Sequence, residues 1–538
     1  MKKVLSGILF LAMLLSIAAM PVMAEEERPT LTVFVEAVAT IEDFETNAAT
    51  LWIEDKIGAN LDFIVAPSGS AEEKMNVLLN GKNYPDIFYL KVPDEDLYGV
   101  ETGILMDLTS LLPEMEYFNY NLNYYPIMGE SMWASDGKLY AFPTYDGALG
   151  HGNFPVKMLM NSDHMAELGL DFPTDLDEFH DALEAWVALD PENHIGLIGN
   201  TDNAPSDPLY WITNAFTYQP GNNWGYYLGL RTNNDVVETM FDDEEYREAL
   251  RYMHQLYDEG LLYDASYTQN REQATALLAS EGYPVLAWAT THNVRIVNAS
   301  NTPDLYAATD FVAPIKGYNG EQYSTYIPNA VGSFMAISST CEYPEIAAQF
   351  ADLFYSAEGI AVINFGPFEH GHWRLPTEEE IALCKAANAP VPQYLRTDAF
   401  ESGTQNFKWQ PANPAIGGMA DAENPHCRDL PVDYESLNYD DSVNGPAYRI
   451  YATTTQQLPL YQEVYETIPA LKFTAAEKEE KATLEVSLES YLKQARIDFI
   501  TGAKDLDADW DAYVAGIEEL NMSRLVEIYQ GVIDRNQK

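Results

Sequence analysis

The side chains best suited to chemistry in this chain are aromatic rings set among carboxylates and amides. The sequence holds nine Trp, 35 Tyr and 22 Phe. A pyranose presents apolar C–H faces and a polar rim of hydroxyls, so aromatic plates beside carboxylates and amides suit it as a ligand. Trp211, Trp224, Trp288, Trp373 and Trp409 occur in stretches rich in Asn, Asp, Gly and Pro that read as loops or strand ends, and as a set they are expected to supply ligand contacts. Packing beneath a loop is the alternative for any one of them. His292 and Arg295 follow a strand that ends near Trp288 and are secondary candidates for hydrogen bonds to hydroxyls or to a carboxylate. Trp52 and Trp186 fall on helical stripes and are expected in the core.

Metal and nucleophile chemistry find little support. Asp505, Asp507 and Asp509 have the spacing that opens a calcium loop, but Trp510 and Gly516 stand where that loop needs glycine and glutamate. Helix capping by Asp507 or Asp509 is expected instead. His370 and His372 could offer two imidazoles, yet no further ligand stands at a recognised spacing, so a loop hydrogen-bonding role is expected. HExxH, a phosphate-cradling glycine loop and GxSxG are all absent, and no metal or cofactor is expected. With 83 acidic residues any carboxylate pair could be nominated for glycoside hydrolysis, so their abundance does not argue for it.

At 538 residues the chain exceeds what one hydrophobic core organises, and two lobes or more are expected to position these groups. Lys2 and Lys3, an apolar run from Val4 to Met20, and Ala24 before an acidic cluster make a secretory signal peptide over residues 1–24, cleaved after Ala24. The alternative for this segment is a membrane anchor. The leader has no cysteine, so no lipid anchor is expected. Cys341, Cys384 and Cys427 are an odd set for an exported chain, and spacing does not say which pair could bridge. A formal charge of -53 repels nucleic acid and anionic membranes, and it disfavours a strongly anionic ligand unless a local basic pocket intervenes.

Along the chain, β-rich runs at Thr30–Val38, Leu61–Val65 and Pro85–Leu90 alternate with helical patterns at Asn47–Ile57 and Ser70–Asn80. That alternation predicts an α/β fold with a mainly parallel sheet, whose ligands gather beyond the carboxyl ends of the strands. Thr174 is expected to cap a helix carrying Leu176, Phe179, Leu183, Trp186 and Val187 on one face. Residues 364–446, rich in Pro, Gly and aromatics, read as long ordered loops over the second lobe. Glu477 to Ile500 is the longest amphipathic helix, with Leu484, Leu488, Tyr491, Leu492, Ala495 and Phe499 on its buried stripe.

Several stretches together resemble one family. A strand over Met158–Met160 ends in Asn161; Leu168-Gly169, Pro173-Thr174, Glu178-Phe179, Asp190-Pro191 and Ile195–Leu197 follow in order. Further on come Tyr257–Leu262, Glu345–Gly359, Asp509–Tyr513, Tyr529-Gln530 and Asp534-Arg535. These resemble the large extracellular solute-binding proteins of sugar ABC transporters across most of the mature chain. The resemblance implies a two-lobed, type II periplasmic-binding-protein-like fold, each lobe a sheet flanked by helices. Approximate lobes are 25–145 with 305–360, and 146–304 with 361–538. It places Tyr145 and Asp146 at the first crossover as ligand contacts. It also implies a monomer that captures an oligosaccharide by hinge closure and delivers it to a membrane ABC permease. Some relatives carry a calcium loop after the Asp-Pro pair; here Asp190 passes to Ile195 with too few oxygen ligands, so none is expected. A secreted glycoside hydrolase, or a peptide or lipid-precursor binder on the same fold, are the alternatives.

Overall fold

The computed structural model describes residues 28–124, 128–129, 132–145, 154–221, 228–291, 296–297, 302–326, 331–379, 381–382, 394–397, 403–410, 460, 465–467 and 473–536. The chain opens with β1 (Thr30–Glu36), whose Leu31, Val33, Phe34 and Val35 are buried. Helix α1 (Ala48–Ile57) starts where the Asn47 side chain accepts from the Ala49 N–H, and it stops at Gly58 in a left-handed conformation. It returns the chain to β2 (Asn60–Ala66), which pairs with β1 in parallel along its whole length. Helix α2 (Ala71–Asn80) then leads to β3 (Ile87–Tyr89), parallel to β1 on its other side.

After β4 (Phe142–Tyr145) the chain leaves this sheet and builds a second one from β5 (Lys157–Asn161), β6 (Ile195–Ile198), β9 (Val285–Thr290) and β10 (Thr309–Val312), in the order β10-β5-β9-β6. Helix α3 (Leu176–Leu189) connects β5 to β6. It is capped by Asp175, one residue beyond the expected Thr174, because Asp175 accepts from the Glu178 N–H while Thr174 donates to the Glu178 carboxylate. A hairpin of β7 (Leu230–Asn233) and β8 (Val236–Thr239) and helix α4 (Glu244–Asp258) complete this excursion. The chain then returns through β11 (Val331–Ile337), which lies antiparallel between β3 and β4 and makes the first sheet β2-β1-β3-β11-β4. Helices α5 (Pro344–Leu353) and α6 (Ala357–Phe365) and the short pair β12 (Trp373–Arg374) and β13 (Leu395–Arg396) follow. The last part carries β14 (Tyr465–Thr467), paired with β7, and three helices: α7 (Ala475–Ile500), α8 (Trp510–Glu519) and α9 (Met522–Asn536).

Two lobes result, each with a mixed sheet between apolar layers. The core of lobe 1 draws Val33, Ile53, Tyr89, Phe350, Ile363 and Trp409 into one cluster, and lobe 2 joins Met158, Trp186, Met253, Leu286, Leu488 and Phe499 into another. Among the described residues the chain stands in lobe 1 up to residue 145, in lobe 2 from 154 to 326, in lobe 1 again from 331 to 410, and in lobe 2 from 465. These positions shift the expected boundaries. Strand β10 pairs with β5, so residues from 305 to 326 belong to lobe 2 rather than lobe 1. Ala361, Val362, Ile363, Phe365, Trp373, Tyr394 and Trp409 pack with the lobe 1 core rather than with lobe 2, because apolar contact rather than chain order sets membership. The antiparallel β11 and β5 also make both sheets mixed rather than mainly parallel.

No single described helix is long and apolar enough to cross a membrane. Helices α5 and α6 together have the composition, but they meet at 77° and bury Phe350, Ala351, Ile360 and Val362 in lobe 1.

Candidate functional site

The site is built at the carboxyl end of β3, where an open sheet leaves room for a ligand. Asp86 fixes the strand's start: its carboxylate accepts from the Thr32 N–H at 2.8 Å and the Thr32 hydroxyl at 2.7 Å, while its own N–H donates back to that hydroxyl at 2.8 Å. At the far end Leu90 takes φ +59, a conformation in which a branched side chain is strained, and its N–H donates to the Phe334 carbonyl at 2.6 Å. Residues 94–101 then wind tightly. Asp94 accepts from the Leu97 N–H at 3.0 Å, and Asp96–Glu101 form one turn of π-helix closed by Thr102 N–H to the Leu97 carbonyl at 3.1 Å. A left-handed leucine and a π-turn within a dozen residues are both uncommon, and both concentrate at functional sites. Gly99 is required within the turn, because a Cβ there would lie 2.5 Å from the Tyr140 ring.

These bends bring Lys91, Asp94, Glu95 and Asp96 to the wall of a cavity of about 390 Å³, together with Ser333 of β11 and, from lobe 2, Phe473 and Lys478. The cavity therefore lies between the lobes. Its polar groups are tied in place. Lys91 pairs with Glu36 at 3.3 Å, Asp96 accepts from the Ser135 N–H at 2.9 Å, and the Ser333 hydroxyl donates to Glu95. Lys478 reaches across from α7 to Asp94. Burial pushes the Asp94 carboxyl up, but the Lys478 ammonium and the Leu97 N–H outweigh it and hold the group below the usual carboxylate range.

The lobe 2 wall is positioned by the first turn of α7. Thr474 and Glu477 form a reciprocal capping box, and Glu477 also binds Arg535 of α9 through both oxygens at 3.0 Å. That pairing drops the Glu477 carboxyl to about 2. Phe473, just ahead of the cap, packs edge-on to Tyr529 with ring centroids 5.1 Å apart, and the Lys481 ammonium sits 5.3 Å from its ring centre. The half-buried ring is thus an anchored apolar plate at the cavity.

The residues singled out from sequence are distributed differently. Asp146, Trp224, His292 and Arg295 lie outside the described residues, and for Tyr145 only the backbone is described, paired with Val331 at the end of β4. Trp211, Trp288, Trp373 and Trp409, expected to face a ligand, are buried in this conformation, with 4, 1, 7 and 0% exposure. Trp288 lies inside β9, in an apolar cluster with Leu159, Ile198 and Phe311. Trp409 stands edge-on to Phe44, Phe63 and Tyr89 and donates to the Thr50 hydroxyl at 2.9 Å. Trp211 packs on Phe179, and Trp373 lies between Phe368 and Tyr394. In this conformation these rings pack within the lobe cores. Sequence reasoning missed Phe473 and the Lys91–Asp96 wall, although the rule about strand ends pointed to the latter.

The other candidates are structural. His370 and His372 flank the Phe407 ring, at 6.1 and 4.1 Å. Asp505 accepts from the N–H groups of Asp507 and Ala508, and Asp507 binds Arg247 and Arg251. Asp509 stands at the cap position of α8, but its carboxylate takes the Asp505 N–H instead of a helix N–H. Cys341 is buried, which raises its thiol to about 11; Cys384 and Cys427 lie outside the described residues.

Comparison with known proteins agrees with this architecture. FusA of Streptococcus pneumoniae serotype 4, a fructooligosaccharide ABC transporter substrate-binding protein, is 22% identical over 515 residues, covering 90% of this chain and 86% of FusA. Its structure in complex with kestose is similar with a TM-score of 0.70 at 18% identity, covering 94% of this chain and 99% of that one. An extracellular solute-binding protein from Bifidobacterium longum subsp. infantis reaches a TM-score of 0.77 at 17% identity over 95% of this chain and 99% of its own. The alginate-binding protein AlgQ2 reaches 0.58 at 17% identity, with 95% and 98% covered. Residues 43–361 match the family of bacterial extracellular solute-binding proteins, and the chain belongs to that family.

Proposed function

We propose that this protein captures an oligosaccharide outside the cell and delivers it to a membrane ABC permease. The observation that carries this reading is the interlobe cavity, lined by an anchored aromatic ring, Phe473, and by the carboxylates of Asp94, Glu95 and Asp96. A plate suits the C–H face of a sugar ring and the carboxylates accept from its hydroxyls. The binding of fructooligosaccharide by a relative of matching length supports the ligand class. The cavity is lined from both lobes, and a ligand contacting both walls favours a closed state by its differential affinity for it. Tyr145, Asp146, Trp224, His292 and Arg295 are proposed as further contacts from their positions in the sequence. The mature chain begins at Glu25, carries no lipid, and acts as a monomer.

Isothermal titration against a panel of oligosaccharides tests the reading, with chromatography of the same mixtures for shorter products. Binding without product formation is expected, and Phe473→Ala should weaken it by roughly 1 to 3 kcal/mol, the scale of one buried apolar side chain. Release of shorter sugars would instead establish a glycoside hydrolase.

A further inference from the structure

The charge balance of the cavity carries the reading one step further, from oligosaccharide to a class of oligosaccharide. Among the described residues four carboxylates line it, those of Glu72, Asp94, Glu95 and Asp96, against two ammonium groups, Lys91 and Lys478. Both cations are already engaged. Lys91 binds Glu36 at 3.3 Å, and Lys478 binds Asp94 across the cleft. Glu36 is held by more than the lysine: it accepts from the Gly69 N–H at 2.6 Å. A ligand carboxylate entering here would share a lysine with the carboxylate that already holds it, and would face the like charges of Glu95 and Asp96. A hydroxyl donates to the same carboxylates at no such cost. The charge of -53 on the whole chain acts in the same direction at long range, lowering the local concentration of polyanions.

We infer, resting on the oligosaccharide reading above, that the cleft takes uncharged glycans and rejects oligouronates and other acidic ones, with Glu95 and Asp96 as the residues that discriminate. The fold alone does not make this choice, since relatives of the same architecture include a fructooligosaccharide-binding and an alginate-binding protein.

The test titrates the full mature protein with neutral fructo- and gluco-oligosaccharides and with oligouronates of matched length. At low salt the uronates should bind at least about tenfold more weakly than the best neutral ligand. Moving from about 0.01 M to about 0.15 M ionic strength, which shortens the screening length from about 30 Å to about 8 Å, should narrow the gap. The double variant Glu95→Gln/Asp96→Asn should raise the ratio of uronate to neutral affinity about tenfold, whatever it does to either affinity alone. Should that variant fail to fold, the salt response of the unmodified protein decides. Uronates binding as tightly as neutral glycans, or a ratio indifferent to both salt and substitution, would overturn the charge selection and leave the oligosaccharide reading standing. Binding of no glycan of either kind would overturn both.

Discussion

Single residues show most clearly where type alone misleads. Tryptophan suits both a sugar platform and a core, and its neighbours in sequence do not separate the two; burial does. Trp288 is one of the largest fully buried side chains and sits within a strand rather than beyond its end. Trp288→Ala should therefore cost about 3 to 5 kcal/mol of folding stability, read from denaturant melts, while the surviving folded protein binds its ligand with unchanged affinity. Lost affinity at unchanged stability would return the ring to the cleft. Phe473, by contrast, is one of 22 phenylalanines, and only its place just before a Thr-x-x-Glu cap sets it apart. A second residue-scale prediction concerns His180, whose ring nitrogen lies 2.5 Å from the Glu259 carboxylate. Burial pulls its pKa down, but Glu259 and then Asp181 outweigh that and hold the imidazole above its usual value, while His180 holds the Glu259 carboxyl below its own. A histidine raised on folding gives stability that is fully present below its unfolded pKa of about 6.5 and lost as pH rises through the folded value. The pair is partly exposed, so Glu259→Gln should cost at most about 1 kcal/mol near pH 6, and the difference from the unmodified protein should vanish toward about pH 9. A difference that persists in alkali would mean that Glu259 acts through something other than the imidazolium.

At the scale of elements, the sequence was most legible where periodicity is strong and local. The stripe Leu488, Leu492, Ala495 and Phe499 buries as expected, and α7 begins only two residues ahead of its expected start. The alternation β1-α1-β2-α2-β3 is likewise visible in apolar runs and caps. What was not legible is conformation that no local signal demands. The left-handed Leu90 and the π-turn at Asp96–Glu101 are imposed by surrounding tertiary contacts, and Lys91–Asp96 reads as an ordinary polar loop. Gly99→Ala tests how tightly this turn is held. Its Cβ would press on the body of the Tyr140 ring, so overpacking should cost about 1 to 3 kcal/mol in denaturant melts and disturb the cavity wall. An unchanged melt would show that the turn has slack. The segment after Asp190 gives another element-scale test. The Asp190 carboxylate accepts from the Asn193 side chain at 2.8 Å, and its carbonyl accepts from the N–H groups of Asn193 and His194. A turn closed on itself, leading directly into β6, has too few free oxygens for the six or more a calcium ion takes. Chelation should leave melting temperature and ligand affinity unchanged, and a loss reversed by added calcium would reveal a site.

At the scale of the whole molecule, two lobes become a capture device only if ligand and lobe contacts favour the same closed state. The Asp94–Lys478 pair joins the wall at β3 to the first turn of α7, and so ties the lobes together at the cavity itself. Both partners are partly exposed, 36% and 48%, which limits the pair to about 1 kcal/mol or less after screening. That energy is too small to hold the lobes shut unaided, yet large enough to bias a two-state equilibrium about fivefold. Apparent affinity scales with the fraction of protein in the competent state, so Lys478→Met should weaken ligand binding by up to about fivefold while barely changing the melting temperature, because no lobe core is touched. Asp94 also faces the cavity and could contact ligand directly. A double-mutant cycle with Asp94→Asn separates the roles: the coupling between the two substitutions reports the interlobe pair, and the remainder reports direct contact. X-ray scattering of each variant without ligand should show a larger radius of gyration when the pair is removed, shrinking to the same value once ligand saturates. If the unliganded radius does not change and the coupling is zero, the pair is a surface contact without influence on closure.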